Sequence, residues 1–195
     1  MAAVSSRSPL STASDAAAPI RLRRADIADA RLVARLIEPG FARFVAPMLG
    51  LAGQVAFRMY VTERALRERL RDGAVAWCAE TVEDEPTLVG YAELRGPAGR
   101  EPGTLHLTLL FTHVDWHRHG VARRLLGAVT EHLLAADPPA RRLTVNASAY
   151  ATPIYERLGF VPGGENTEGE DGIIASPMRL DLDQGPAAQD VAEAD

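Results

Sequence analysis

The sequence contains no lysine: arginine accounts for all 21 of its basic residues. A P-loop nucleotide site requires a lysine on the phosphates, so this type of site is excluded. The single cysteine, Cys78, allows neither an intramolecular disulfide nor a cysteine-rich zinc cluster, which favours a reducing compartment. No apolar run approaches the ~20 residues that span a bilayer. The first residues also lack the continuous apolar segment of a secretory signal, and these absences together predict a cytoplasmic protein without a membrane partner.

Positive charge is also in deficit, since 26 acidic residues give the chain a net charge of −5. Nucleic-acid binders usually carry a basic excess, so the charge predicts no nucleic-acid partner. The 195 residues are 47% apolar and 24% charged, which is typical of one globular domain. We expect a disordered tail over residues 1–18, a folded domain over residues 19–183 and a flexible acidic tail over residues 184–195.

The pattern of apolar residues predicts a mixed sheet of about six or seven strands with helices on both faces, an α/β (α+β) fold. Strands cluster early in the chain, and a β-α-β-α-β order follows. A first helix is capped by Asp26 and ends at Pro39-Gly40. The other predicted helices cover Gln54–Arg71, where Thr62 is a second capping candidate, Val121–Ala135 and Pro153–Leu158. The predicted strands cover Ile20–Arg24, Ala74–Val82, Leu88–Arg95, Thr104–Val114, Arg142–Ala147, Phe160–Gly164 and Ile173–Leu182.

The stretch 105–134 joins an alternating strand to an amphipathic helix through a short turn that carries Gly120. The alternation predicts two sets of side chains on opposite faces of this strand. One face carries Leu105, Leu107, Leu109 and Phe111, and the other carries His106, Thr108 and Leu110. A strand that delivers backbone amides to a helix N-terminus can hold a phosphate. Arg118 and His119 would then face a pyrophosphate. From these residues alone, a plain helix start is an equally good interpretation.

The segment H-R-H-G-V-A, residues 117–122, resembles the acetyl-CoA motif of the GNAT superfamily of acyl-CoA-dependent N-acetyltransferases. Gly120 and Ala122 match that motif, whereas His117 stands where glutamine or arginine is usual. Residues 143–160, which end in Y-E-R-L-G-F, resemble the next strand and helix of the family, and residues 172–182 resemble its last strand. The resemblance therefore implies the GNAT fold.

The resemblance implies acetyl-CoA as co-substrate and assigns residues to it. In the family, the strand before the loop splays from its neighbour, and its backbone pairs with the pantetheine arm. In this sequence, the residues at that position are Phe111, Thr112 and His113. The resemblance places the pyrophosphate on the backbone amides of Arg118, His119, Gly120, Val121 and Ala122. The side-chain contact that the family usually makes beside these amides would fall to His117. Asn146 would hold a pantetheine amide or a water, or it would cap the turn at Ser148. His113 and His117 have no carboxylate or cysteine partner, so no metal site is expected.

Two residues are candidates for the chemistry. Tyr155 stands where many family members carry the general acid that protonates the departing thiolate, or it packs its ring on the sheet. His106 lies near the position of a glutamate base in some relatives, or it is a hydrogen-bonded core histidine. Glu93 is a rival base, and a chain of waters without a dedicated base is a further alternative.

The acceptor is the least determined part of the hypothesis. Glu165, Glu168, Glu170 and Asp171 could attract a cationic amine or form a solvated loop. Residues 41–50 and 57–60 would supply an apolar wall. The leading hypothesis is direct transfer of an acetyl group, within a ternary complex, to the primary amine of an unidentified small molecule or peptide. The alternative is a non-catalytic acyl-CoA sensor of the same fold. The length of the acyl group and the presence of a homodimer, which is common in the family, stay open.

Overall fold

The computed structural model describes residues 19–96, 102–168 and 174–182. Within them, eight strands form a mixed sheet in the order β1-β2-β3-β4-β5-β8-β6, and β7 pairs with β8. Every neighbouring pair is antiparallel except β4 and β5, which are parallel. The strands are β1 Ile20–Arg24, β2 Val75–Thr81, β3 Leu88–Arg95, β4 Thr104–Thr112, β5 Arg142–Ala147, β6 Val161–Pro162, β7 Thr167–Glu168 and β8 Ile174–Asp181. The predicted mixed sheet is confirmed, with a strand count slightly above six or seven because β7 was not foreseen.

In the described ranges, five α-helices cover the two faces of the sheet: α1 Ala30–Gly40, α2 Leu51–Tyr60, α3 Glu63–Arg71, α4 Val121–Leu134 and α5 Thr152–Arg157. The side chains of β2 alternate between two apolar clusters. Ala76 and Cys78 pack with residues of α1 and α3, whereas Trp77 and Ala79 pack with residues of α4. Burial on both faces explains why this strand reads as an almost continuous apolar run.

The helical segment before β2 departs from the sequence prediction at two points. α1 ends at Gly40, as predicted, but the chain stays helical beyond it and continues through a π-helical turn at Phe41–Val45 and a 3-10 turn at Ala46–Met48. Pro39 has no N–H group, and widening of the turn after it is one way to continue a helix past such a residue. The predicted helix over residues 54–71 is two helices, because Thr62 caps α3 by accepting a hydrogen bond from Ala65 N–H at 3.2 Å.

A β-bulge in β4 overturns the predicted alternation of its side chains. Glu93 of β3 pairs with Leu109 and Leu94 pairs with Leu107, so Thr108 is an extra residue in β4. Leu107 consequently packs in the α4 cluster, while Leu109 packs in the α1 cluster. The rest of the strand after the bulge is inverted as well. Phe111 joins the α1 face, and Leu110 joins the face of Leu105 and Leu107.

The strands β4 and β5 pair only at one end. Their parallel register runs from Thr104 and Arg142 to His106 and Thr144, although both strands continue beyond it. The pairing stops two residues before the bulge at Thr108, and a bulge bends the strand that carries it. The remainder of the two strands therefore borders an open cleft.

Some expectations lie outside the described residues. They include the two tails over residues 1–18 and 184–195, and Glu170, Asp171 and Ile173 before the last strand. Among the helices that the structure describes, none is long and apolar enough to cross a membrane.

Candidate active site

A cavity of about 860 Å³ lies where β4 and β5 separate. This volume falls within the usual range for small-molecule and cofactor sites. It is lined by the second half of β4, the turn and first residues of α4, the end of β5, the segment through α5, the start of β8, and residues between α1 and α2. Sequence-distant elements thus meet in one cavity, and the divergence of the two strands creates it.

The backbone of β4 presents unpaired groups to this cavity at alternate residues. His113 N–H donates to Val89 O at 2.9 Å, so the hydrogen-bonded pairs with β3 fall at His113 and Phe111. In an antiparallel ladder the intervening residues point the other way, which directs the N–H and C=O groups of Leu110 and Thr112 into the cleft. The expected pantetheine contacts of Phe111 and His113 are corrected accordingly, because their backbone groups are committed to β3. Leu110 was missed, because its orientation depends on the register with β3.

The N-terminus of α4 forms the second part of the site. Arg118 has φ +64° and Gly120 has φ +75°, both in the left-handed region. A side chain at Gly120 would meet nothing within 4 Å, so backbone conformation rather than space calls for glycine there. The turn exposes the first amides of a 14-residue helix, which have no intrahelical partners. Arg118, Gly120, Val121 and Ala122 line the cavity, and their contact with a pyrophosphate stays a prediction. Arg123 and Arg157 add positive charge that the sequence analysis did not identify.

The three histidines near this turn have separate positions. His117 lines the cavity, donates from Nε2 to Thr112 O at 3.3 Å and lies 5.2 Å from the Phe44 ring. This histidine therefore holds the turn to the end of β4 at the position where the family usually has glutamine or arginine. His113 caps the short helical turn after β4 by accepting from Asp115 N–H, and His119 donates from Nδ1 to His117 O at 2.9 Å. Neither His113 nor His119 lines the cavity.

Tyr155 on α5 borders the cavity from the side of β5. Its side chain packs edge-on against Phe160, with ring centroids 5.2 Å apart, and the residue is only 7% exposed. Burial raises the pKa of the phenol, which keeps its proton in place at neutral pH. Tyr155 lines the cavity, and within the part of the chain that the structure describes its hydroxyl makes no hydrogen bond. The two interpretations of Tyr155 are thus compatible, since the ring packs in the core while the residue faces the cavity.

The two candidate bases lie away from the cavity lining. His106 Nδ1 lies 3.0 Å from Thr144 Oγ1, and burial together with the Arg95 charge lowers the pKa of the imidazole. Glu93 is 1% exposed and accepts hydrogen bonds from Arg69 Nε at 2.6 Å and from the Tyr91 hydroxyl at 2.7 Å. Neither residue lines the cavity, so a proton from an acceptor amine would reach either one only through intervening groups. Their catalytic roles stay predictions.

The far side of the cleft is formed by the end of β5 and the turn after it. Asn146 lines the cavity and does not cap the following turn. That turn is stabilised by Ser148 itself, whose hydroxyl accepts from Ala151 N–H at 3.3 Å and whose carbonyl accepts from the Thr152 hydroxyl at 3.1 Å. Of the acidic segment, the described Glu165 and Glu168 do not line the cavity.

Metal binding and covalent catalysis find little support in the described residues. They contain no group of three or more histidine, cysteine, aspartate or glutamate side chains that could hold a metal ion. Cys78 is fully buried, and burial raises the pKa of its thiol to about 12. A thiol of that kind is a poor nucleophile, because the thiolate is the reactive form.

The family model described as the acetyltransferase (GNAT) domain matches residues 45–182, which is more than half of the chain. Among solved structures, a GCN5-related N-acetyltransferase from Rhodopseudomonas palustris is 24% identical, with a TM-score of 0.65 over 83% of this chain and 94% of that one. The PaiA N-acetyltransferase from Thermoplasma acidophilum, solved in complex with coenzyme A, is 14% identical, with a TM-score of 0.63 over 84% and 99%. A spermidine N-acetyltransferase SpeG chimera from Vibrio cholerae and hSSAT is 14% identical, with a TM-score of 0.58 over 85% and 96%.

No curated protein matches the sequence. At identities below 25% the solved structures are evidence for the fold alone. The family model rests on the sequence itself, and it includes the turn at Gly120 and the segment around Tyr155. The chain therefore belongs to the GNAT acetyltransferase family.

Proposed function

We propose that the protein transfers an acetyl group from acetyl-CoA to a primary amine by direct attack within a ternary complex. The observation that carries the proposal is the meeting of three groups at one cavity: the free backbone edge of β4, the N-terminus of α4 and Tyr155. A strand edge can pair with an extended amide chain, as in β-strand addition. A helix N-terminus can bind a pyrophosphate. The PaiA enzyme of similar fold, solved with coenzyme A, supports this choice of co-substrate.

The residues that would hold acetyl-CoA divide by chemistry. Leu110 offers its backbone N–H and C=O groups to the pantetheine amides, and Asn146 offers a side-chain amide from the opposite strand. Thr112 offers its N–H group, since its C=O accepts from His117 Nε2. The amides of residues 118–122 face the pyrophosphate, with the guanidinium groups of Arg123 and Arg157 as counter-charges. The described lining contains no carboxylate, so the cofactor phosphates would meet no like charge there.

Tyr155 is the proposed general acid. Acetyl-CoA supplies the acetyl thioester; the amine nitrogen bonds to its carbonyl carbon, the carbon–sulfur bond breaks, and the Tyr155 hydroxyl gives its proton to the sulfur. The phenol regains a proton from the amine through water. Because burial raises the pKa of Tyr155, the phenol stays a proton donor over the whole neutral range.

The test is release of free thiol from acetyl-CoA in the presence of a panel of primary amines, with mass spectrometry of the acetylated product. We expect intersecting initial-velocity patterns, which a ternary complex produces. Parallel patterns would indicate a covalent acetyl-enzyme and contradict direct transfer. Tight binding of acetyl-CoA without thiol release from any amine would instead identify a sensor.

Tyr155→Phe tests the acid separately. Removing a general acid typically costs about 10²–10⁴-fold in kcat. We expect a loss of this size, while the dissociation constant of acetyl-CoA stays unchanged because the ring and its contact with Phe160 are retained. An unchanged kcat at saturating amine would eliminate Tyr155 as the acid.

A further inference from the structure

We infer that the acceptor is a primary amine with an aromatic or aliphatic body and no second positive charge, and that the Thr108 hydroxyl binds its nitrogen. This inference rests on the proposed acetyl transfer and adds the chemical class of the acceptor. Three observations carry it: an aromatic wall in the cavity, two buried hydroxyls without partners, and the distribution of charge along the lining.

One group of side chains that lines the cavity is apolar. We call it the acceptor wall, and its side chains come from the segment between α1 and α2, from α2 and from β4: Phe44, Val45, Leu49, Phe57 and Phe111. The Phe57 ring is stacked on Phe41, with centroids 4.2 Å apart and planes 11° apart, and lies 5.9 Å from the Phe111 ring. Phe41 itself is fully buried. The wall is thus held in place by core packing and offers aromatic surface to a flat or branched apolar group.

Two hydroxyls lie beside this wall with their hydrogen-bonding capacity unused. Thr108 Oγ1 and the Tyr60 hydroxyl are both buried, and neither has a partner among the described residues. Burial raises the pKa of the Tyr60 phenol. Buried polar groups are nearly always satisfied by protein, water or ligand. Thr108 lines the cavity and Tyr60 does not, so Thr108 is the one of the two that a ligand nitrogen in the cavity would satisfy.

Thr108 lies at the β4 bulge and lines the cavity. Leu107 packs on the α4 face, so alternation directs the Thr108 side chain to the α1 face, and the bulge places Leu109 on that same face. Thr108 lines the same cavity as Tyr155 and Leu110, so it borders both the proposed acid and the pantetheine strand. Its oxygen can accept a hydrogen bond from an amine while the nitrogen lone pair stays available for attack.

The described lining carries arginine side chains but no carboxylate. The arginines are Arg118, Arg123 and Arg157, which belong to the turn, to α4 and to α5. The nearest buried carboxylate on the α1 face, Glu93, is already bound by Arg69 and Tyr91. A second ammonium against the acceptor wall would be desolvated without a counter-charge, which is costly. The reacting amine would also lose its proton more readily there, because desolvation lowers the pKa of an amine.

The experiment compares two amines of equal length on the full chain with saturating acetyl-CoA: heptylamine, and hexamethylenediamine, in which a second ammonium replaces the terminal methyl. Phenethylamine is the aromatic member of the panel. We expect kcat/KM to be higher for heptylamine and phenethylamine than for the diamine by at least about tenfold, since an unpaired buried charge costs more than a lost apolar contact. A diamine preferred over heptylamine would overturn the inference.

The role of Thr108 is tested by an isosteric pair of variants. Thr108→Val removes the hydroxyl and keeps the volume, and we expect kcat/KM for phenethylamine to fall about tenfold, as for loss of a hydrogen bond to a polar substrate group. Thr108→Ser keeps the hydroxyl and should stay within about threefold of the parent protein. An equal effect of both variants, or none from Thr108→Val, would overturn the assignment. Thermal shift with acetyl-CoA separates the two proposals: a protein that binds acetyl-CoA but acetylates no amine refutes acetyl transfer itself, whereas one that acetylates only diamines refutes only the acceptor class.

Discussion

Replacing Gly90 by alanine would place a methyl group directly beneath the N-terminus of α4. A Cβ atom at Gly90 would lie 2.6 Å from Val121 Cγ1, 2.9 Å from Leu125 Cδ1 and 3.3 Å from Ala79 Cβ. Val121 and Leu125 are 1% and 0% exposed, so neither side chain has free space nearby. Valine in a helix also holds one strongly preferred rotamer. The first turn of α4 must therefore move away from β3.

The cost of this movement has two parts. Overpacking a filled core site typically costs about 1–3 kcal/mol, and each kcal/mol lowers the melting temperature of a chain of this size by about 2–4 °C. Moving the helix also shifts the amides that we assign to the pyrophosphate. Loss of one hydrogen bond to a charged group costs about 1.5 kcal/mol, which corresponds to roughly a tenfold rise in the dissociation constant of acetyl-CoA.

The assay is thermal unfolding of Gly90→Ala together with titration calorimetry of acetyl-CoA. The matched control is Gly127→Ala on the same helix, where a Cβ would meet nothing within 4 Å. Alanine there should raise stability by about 0.5–1 kcal/mol through helix propensity, without a change in acetyl-CoA affinity. If Gly90→Ala retained both the melting temperature and the affinity of the parent protein, the close packing of α4 on β3 could not be what positions the amides.

Three further predictions concern the elements that support the site. Arg69→Met leaves the Glu93 carboxylate buried without its charge partner and should cost about 3–5 kcal/mol in urea unfolding, whereas Arg64→Met breaks an exposed pair and should leave the free energy of unfolding nearly unchanged. Equal losses of unfolding free energy in the two variants would show that burial does not make the Arg69–Glu93 ion pair harder to break than an exposed one. Thr62→Ala removes the α3 cap and should cost about 1 kcal/mol, with Thr62→Ser largely restoring it; a loss that serine does not restore would assign the effect to packing. The folded state lowers the pKa of His106 below its ordinary value of about 6.5, so its contribution to stability is present above that value and is lost as pH falls below it. His106→Gln should flatten this part of the pH dependence of unfolding, and an unchanged slope would place the titration elsewhere.

Local signals in the sequence were sufficient for several elements. The bounds of β1, β3 and β5 agree with the alternation of apolar residues, and the caps at Asp26 and Thr62 were visible as residue types before helical patterns. These features depend on neighbours within one turn or one strand. The two-residue strand β7 and the short strand at Val161–Pro162 were harder to delimit, because two residues are too few to show a periodic pattern.

The inverted half of β4 shows where local reasoning ends. The sequence alternates from Leu105 to Phe111 without interruption, and nothing in it marks Thr108 as an extra residue. The bulge exists only in the register with β3, which is a non-local pairing. One unforeseen residue in that register moved the side chains of Leu109 and Phe111 to the face opposite the predicted one.

By itself, the sequence determined the mixed α/β architecture, the GNAT motif and the left-handed turn at Gly120, because each follows from the order and conformational preference of residues close together in the chain. Only the tertiary structure decided which backbone groups of β4 face the cleft, that His106 and Glu93 lie outside its lining, and that Phe111 joins the acceptor wall. These properties arise where β3, β4, β5 and the segment after α1 meet. They depend on strand register and on packing between residues far apart in sequence, which no local pattern encodes.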